Sequence, residues 1–184
     1  MKNHIDLIKK IGKIKRIRRS GWVRENIPDP ESVADHSYRV AVMAMIFGKH
    51  LNTDVDKLIK MILLHDLGEG TIGDKVVERG VRVDSKSREK KDKEEVETIR
   101  QMFSSIENGN SFAQLQEESS RMQTREAKIL KQLERLEMAV QALEYEEEYG
   151  KDLTEFFDNA SMHINEEYLI KLLEIVKSLR PKAR

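Results

Sequence analysis

Residues 121–148 read RMQTREAKILKQLERLEMAVQALEYEEE, and this stretch decides the fold class. Ile129, Leu133, Leu136, Val140 and Leu143 alternate spacings of four and three, which is the stripe of one helix face. No glycine or proline interrupts the run, and strong helix formers (Lys, Glu, Leu and Ala) fill much of it. The pattern predicts a helix from about Arg121 to Glu148. Such a stripe packs either inside its own bundle or against a second subunit. The first arrangement is the expectation here.

The same grammar extends outward. Ile5, Ile8, Ile11, Ile14 and Ile17 recur among lysines and arginines, predicting an amphipathic helix over His4 to Arg18. Ser20-Gly21 is expected to break it, and Trp22 to Glu31, with Pro28 and Pro30, to form a loop. Ser32 followed by Asp35 predicts a helix cap, with the helix running to about Leu51. Asn52-Thr53-Asp54 opens another, to about Leu67. Gly68 to Gly80, with glycines at 68, 70, 73 and 80, is expected to be irregular. Lys86 to Phe103 predicts a charged helix, residues 107–110 a turn, and Leu153 to Ala160 and Glu166 to Leu179 two closing helices. No alternating apolar pattern is long enough for a sheet. The expectation is an all-α fold, with one domain over residues 1–184.

Composition narrows the chemistry. The 184 residues carry 33 basic and 33 acidic side chains and no net charge, which argues against a nucleic-acid partner. The basic stretch Lys9 to Arg19 is explained by solvated lysines outside a buried isoleucine stripe. In Ser85 to Glu95 the basic and acidic side chains nearly cancel. The absence of cysteine excludes disulfides, zinc–thiolate sites, iron–sulfur clusters and a cysteine nucleophile. The longest uncharged apolar run, Val40 to Gly48, is far short of the ~20 residues of a membrane helix. The first residues, MKNHIDLIKKIGKIKRIRRS, hold no apolar core of signal-peptide length. No membrane association and a cytoplasmic location are expected.

Two short segments carry chemistry. In Glu31-Ser32-Val33-Ala34-Asp35-His36-Ser37, His36 shares a helix face with Val40, Met43 and Phe47, so its imidazole points inward. Taken alone, it reads as a core histidine with one hydrogen-bond partner. In Leu64-His65-Asp66-Leu67-Gly68-Glu69, an imidazole and a carboxylate stand together at the end of an apolar helix. A carboxylate facing a core is costly unless paired or metal-bound, and the two side chains offer nitrogen and oxygen ligands to a divalent ion. As a capping pair they would need no metal. Glu69 falls on the same side if the helix continues. Glu134, on the shoulder of the long stripe, is the candidate to complete the ligand set, although periodicity alone makes it a surface acid. His4, His50 and His163 are scattered.

Together these segments resemble the HD-domain phosphohydrolases, whose signature is a histidine, a His-Asp pair some thirty residues on, and a distant aspartate. Arg19-Ser20-Gly21-Trp22, Glu31 to Ser37, His65 to Glu69 with Gly73-Asp74, and Lys131-Gln132-Leu133-Glu134 with Leu136-Glu137-Met138 are similar to the 5′-deoxynucleotidase branch. The resemblance implies one divalent metal per subunit held by His36, His65, Asp66 and Glu134, with Mn²⁺ or Co²⁺ favoured and Zn²⁺ or Mg²⁺ possible. It implies Glu69 and Asp74 as catalytic residues, Glu69 on the attacking water or leaving oxygen and Asp74 on the sugar. Arg19 would grip the 5′-phosphate, with Arg18 the neighbouring alternative, and Trp22 would line the pocket. It implies a nucleoside monophosphate substrate and a homodimer. The chain departs from the family at Glu134, where aspartate is usual. The extra methylene requires a helix shift or another rotamer. Two other readings remain: phosphodiester or pyrophosphate hydrolysis, and a non-catalytic nucleotide-binding module decayed at Glu134.

Overall fold

The computed structural model describes residues 2–72 and 85–181. Among them the fold is all-α: α1 Lys2–Ile11, α2 Ser20–Arg24, α3 Val33–Phe47, α4 Val55–His65, α5 Glu69–Ile72, α6 Ser85–Met102, α7 Asn110–Arg121, α8 Arg125–Tyr149, α9 Thr154–His163 and α10 Glu167–Ser178. No strand occurs among the described residues; an isolated antiparallel bridge joins Arg18 to Ser32.

The long helix α8 is the axle of the bundle. It packs against α3, α4, α7, α9 and α10. Ile129, Leu133, Leu136 and Leu143 are buried as the stripe requires, but so are Leu130, Ala139 and Ala142 beside it. The stripe is therefore used inside its own chain. With neighbours on most sides, polar side chains on its shoulders are buried too and find partners. Gln132 Oε1 accepts the backbone N–H groups of Asn165 and Glu166, both at 2.8 Å, at the start of α10. Glu146 takes Arg180 Nε at 2.8 Å and the Leu153 N–H at 2.9 Å. A smaller cluster of Leu7, Leu64, Leu67, Ile99, Met102, Phe103 and Ala113 joins α1, α6 and α7 to the end of α4.

Several boundaries differ from expectation, each for a local reason. The first helix stops at Ile11 rather than Arg18. Gly12 opens a 3-10 turn, Gly12–Arg16, and Ile17 is extended. The chain then lies along the entry to α3, with Val33 N–H on Ile17 O at 2.9 Å and Arg19 N–H on Glu31 O at 3.0 Å. Isoleucines every third position drift around a 3.6-residue helix, so Leu7 is buried while Ile5 and Ile8 are exposed. Ser20-Gly21 begins a short helix instead of breaking one, and Trp22 sits inside it. Helix α3 ends at Phe47, short of Leu51, and α4 at His65, short of Leu67. Glu69–Ile72 is helical where an irregular segment is expected. Helix α7 has no counterpart in the apolar pattern. Its buried residues are Ala113, Gln116 and Ser119, small or polar. The left-handed Met122 ends it, and α8 starts at Arg125 behind the Thr124 cap.

The start of α3 agrees with the sequence. Ser32 Oγ accepts the Asp35 N–H at 3.2 Å, and the Asp35 carboxylate accepts the Ser32 N–H at 2.8 Å, a closed capping box. Burial would raise the Asp35 carboxyl, but the Ser32 hydrogen bonds outweigh it and lower its pKa. The stabilisation they supply is present above the unfolded carboxylate pKa and disappears as pH falls through the folded one. Ser32→Ala should cost about 1 kcal/mol at neutral pH in denaturant unfolding. The gap from the parent protein should narrow below about pH 4, where Asp35 takes up a proton.

Candidate functional site

Because the Ser32 cap sets the phase of α3, His36 falls in its first turns facing α8, with no exposed surface. Its Nδ1 lies 2.5 Å from Glu137 Oε2, and Glu137 is fully buried as well. A carboxylate can only accept, so Nδ1 carries the proton and Nε2 presents its lone pair. That Nε2 is buried without a hydrogen-bond partner. Arg39 supports Glu137 from α3, with Nε 3.4 Å from Oε1.

His65 closes α4, and its Nδ1 is hydrogen-bonded to Ile62 O. Its Nε2 stands 3.0 Å from Asp66 Oδ2 and 2.8 Å from Glu134 Oε1. These are ion-pair contacts, and Nε2 has no further hydrogen-bond partner. Asp66 leaves the helix as its C-cap, which turns its carboxylate toward Arg19, 3.0 Å away at Nη1. Glu134 reaches the same place from α8, and Lys131 Nζ sits 3.0 Å from its Oε2. One donor atom each from His36, His65, Asp66 and Glu134 lies within 4.8 Å of the other three. The methylene that distinguishes glutamate from aspartate does not keep position 134 out of the cluster.

Charge in this pocket is tightly compensated. Burial opposes ionisation of Asp66, yet His65, Arg19 and His36 hold its carboxyl well below the usual range. Burial likewise opposes Glu134, and Lys131 and His65 overcome it. Burial would depress His65, but the carboxylates of Asp66 and Glu134 raise it to about 10. Two orphaned imidazole nitrogens facing two carboxylate oxygens form a donor set that fits a divalent ion. Such an ion would satisfy the nitrogens and replace the proton that His65 otherwise holds.

The other predicted residues are not among these four donors. Arg19 touches it, whereas Arg18 turns away to Pro30 O at 2.8 Å and Asp29 at 3.1 Å. Glu69 is buried at the start of α5. Helix α4 has already ended, so Glu69 is placed by this new helix and not by continuation of the old one. Trp22 is 1% exposed, stacked on Phe156 and edge-on to Tyr145, and its Nε1 donates to Glu31 Oε1 at 2.8 Å. Asp74 lies outside the described residues.

Sequence reasoning gave no role to Glu137, Glu31 or Lys131. Glu137 follows Glu134 by three, which is the one signal that places it on the same face. Glu31 is buried and joins His36 and Glu137 in a second compact group. Burial, then the nearby Glu137 charge, pushes its carboxyl up to about 8.

The chain matches the HD domain family over residues 11–176. It is 33% identical over 184 residues to the 5′-deoxynucleotidase HDDC2 of Bos taurus, covering 97% of this chain and 86% of the bovine one. Against the 5′-deoxynucleotidase YGK1 of Saccharomyces cerevisiae it is 32% identical, covering 78% and 67%. A solved structure of a conserved hypothetical protein from Pyrococcus furiosus superposes with a TM-score of 0.77 at 33% identity, covering 95% and 99%.

Glu137→Gln keeps the size of the side chain but removes the charge that fixes the His36 tautomer. It should weaken metal retention about 10- to 100-fold in a chelator competition, with the helical circular dichroism unchanged.

Proposed function

The chain belongs to the HD-domain family, and on that premise we propose that it is a metal-dependent phosphomonoesterase acting on deoxyribonucleoside 5′-monophosphates, yielding the deoxynucleoside and phosphate. The observation that carries the proposal is the convergence of His36, His65, Asp66 and Glu134, with both imidazole Nε2 atoms lacking hydrogen-bond partners. Likeness over nearly the whole chain to proteins named 5′-deoxynucleotidase supports the substrate class. The whole chain, residues 1–184, acts as one domain in this reading. It works in the cytoplasm, and as a homodimer with one divalent ion per subunit. His36, His65, Asp66 and Glu134 would hold the ion through mixed nitrogen and oxygen donors, with Mn²⁺ or Co²⁺ the favoured ions and Zn²⁺ or Mg²⁺ the alternatives.

When bound, the divalent ion supplies Lewis-acid polarisation and an acidified water. The side chains do the remaining work. Phosphoryl transfer depends on positioning and on stabilising charge at the phosphoryl oxygens. Arg19, already beside Asp66, presents a planar fork suited to two of those oxygens. Glu69, buried at the start of α5, takes the proton of the attacking water or returns one to the 5′-oxygen as the P–O bond breaks. Asp74 positions the sugar. Trp22 shapes the pocket wall from behind, holding Glu31 in place through its indole N–H.

The test is phosphate release from matched deoxyribo- and ribonucleoside 5′-monophosphates by chelator-stripped protein, before and after adding each ion. Release should require the ion, favour the deoxy series and vanish in His65→Ala. Arg19→Ala should lower kcat/KM about 10- to 100-fold, the scale of a lost charged hydrogen bond. A stoichiometrically loaded protein that releases phosphate from none of these nucleotides contradicts the proposal.

A further inference from the structure

Lys131 occupies an unusual position for a helix-surface lysine. It precedes Glu134 by one turn of α8, and its Nζ lies 3.0 Å from Glu134 Oε2 and 3.3 Å from Oε1. The lysine side chain is 42% exposed while Glu134 is 11% exposed. The ammonium therefore stands on the solvent side of a carboxylate whose other face looks into the donor cluster. Arg19 pairs with Asp66 in the same way, at 3.0 Å, with both side chains 15% exposed. The two carboxylates of the cluster thus each carry one cation, Arg19 from the turn into α2 and Lys131 from α8.

This pairing sets the charge that a substrate meets. Arg19 and Lys131 already neutralise Asp66 and Glu134. Counted over these four side chains alone, a divalent ion in the cluster would leave two positive charges in excess, against a dianionic phosphate monoester. With Lys131 neutral, only one remains. The ammonium also has donors to spare. It carries three N–H groups, and contact with one carboxylate uses at most two. An ordinary i,i+3 ion pair on a helix surface contributes little and needs no such placement.

We propose that Lys131 is a phosphate-binding residue, holding the substrate phosphoryl group jointly with Arg19 while keeping one contact to Glu134. The proposal rests on the phosphomonoesterase reading and assigns part of its substrate recognition. The competing role for Lys131 is structural, tethering Glu134 in its rotamer. The two roles move different observables.

Inorganic phosphate binding to the Mn²⁺-loaded protein is measured by calorimetry for the parent, Lys131→Gln and Lys131→Arg, alongside Mn²⁺ affinity and steady-state kinetics. Lys131→Gln should weaken phosphate binding about 10- to 100-fold, with kcat/KM falling in parallel and Mn²⁺ stoichiometry retained. Lys131→Arg should recover phosphate binding to within a few-fold of the parent. Unchanged phosphate affinity in Lys131→Gln, or a loss confined to Mn²⁺ affinity, overturns the proposal while leaving the hydrolase reading intact. A loaded parent protein that neither binds phosphate nor hydrolyses nucleotides overturns both.

Discussion

Two carboxylates and two imidazoles share one buried space at the meeting of α3, α4 and α8, and much of the local structure answers to that constraint. Carboxylates so close together in a protein interior repel one another and lose their hydration. The fold compensates at once. Arg19 is brought to Asp66 by the turn into α2, and Lys131 to Glu134 by one turn of α8. His65 lies between the two acids. Removing any one of these charges leaves another uncompensated, so the cluster behaves as a unit.

Helix α8 is what makes this affordable. Surrounded by five helices, it supplies the bulk of the apolar core and also, from its shoulders, Glu134 and Glu137. Glu134 faces the donor cluster and Glu137 stands behind it on His36. Behind Glu137 the polar layer continues through Glu31 to the Trp22 indole, while Tyr145 accepts the Glu31 backbone N–H at 2.8 Å. The rigidity of the imidazole facing the cluster is thereby tied to the same packing that closes the hydrophobic core. An ion entering there meets donors whose orientation is already set.

Much of this was legible in the sequence because local rules set it. The capping box at Ser32 placed His36 in phase, and the end of an apolar helix placed His65 and Asp66. The α8 stripe marked the axle and put Glu134 at its edge. What was not legible depended on partners distant in the chain. Glu137 had only its spacing of three from Glu134 to set it apart from a surface acid, since its partner His36 is 101 positions away. Helix α7 escaped notice because its inward face is alanine, glutamine and serine. The isoleucines of the first helix suggested a buried stripe, but spacing by threes carried Ile5 and Ile8 to the surface. Trp22 lay among turn-forming residues, and its burial depends on tertiary contacts with Phe156 and Tyr145.

The central claim is that the buried cluster of His36, His65, Asp66 and Glu134 is the seat of a divalent ion, and crystallography at a metal absorption edge tests it most directly. Crystals of Co²⁺-loaded protein should show one anomalous peak per chain, bounded by His36 Nε2, His65 Nε2 and the carboxylates of Asp66 and Glu134. A peak on the other side of His36, among Glu31, Nδ1 and Glu137, or no peak at either place in fully loaded protein, would contradict the account.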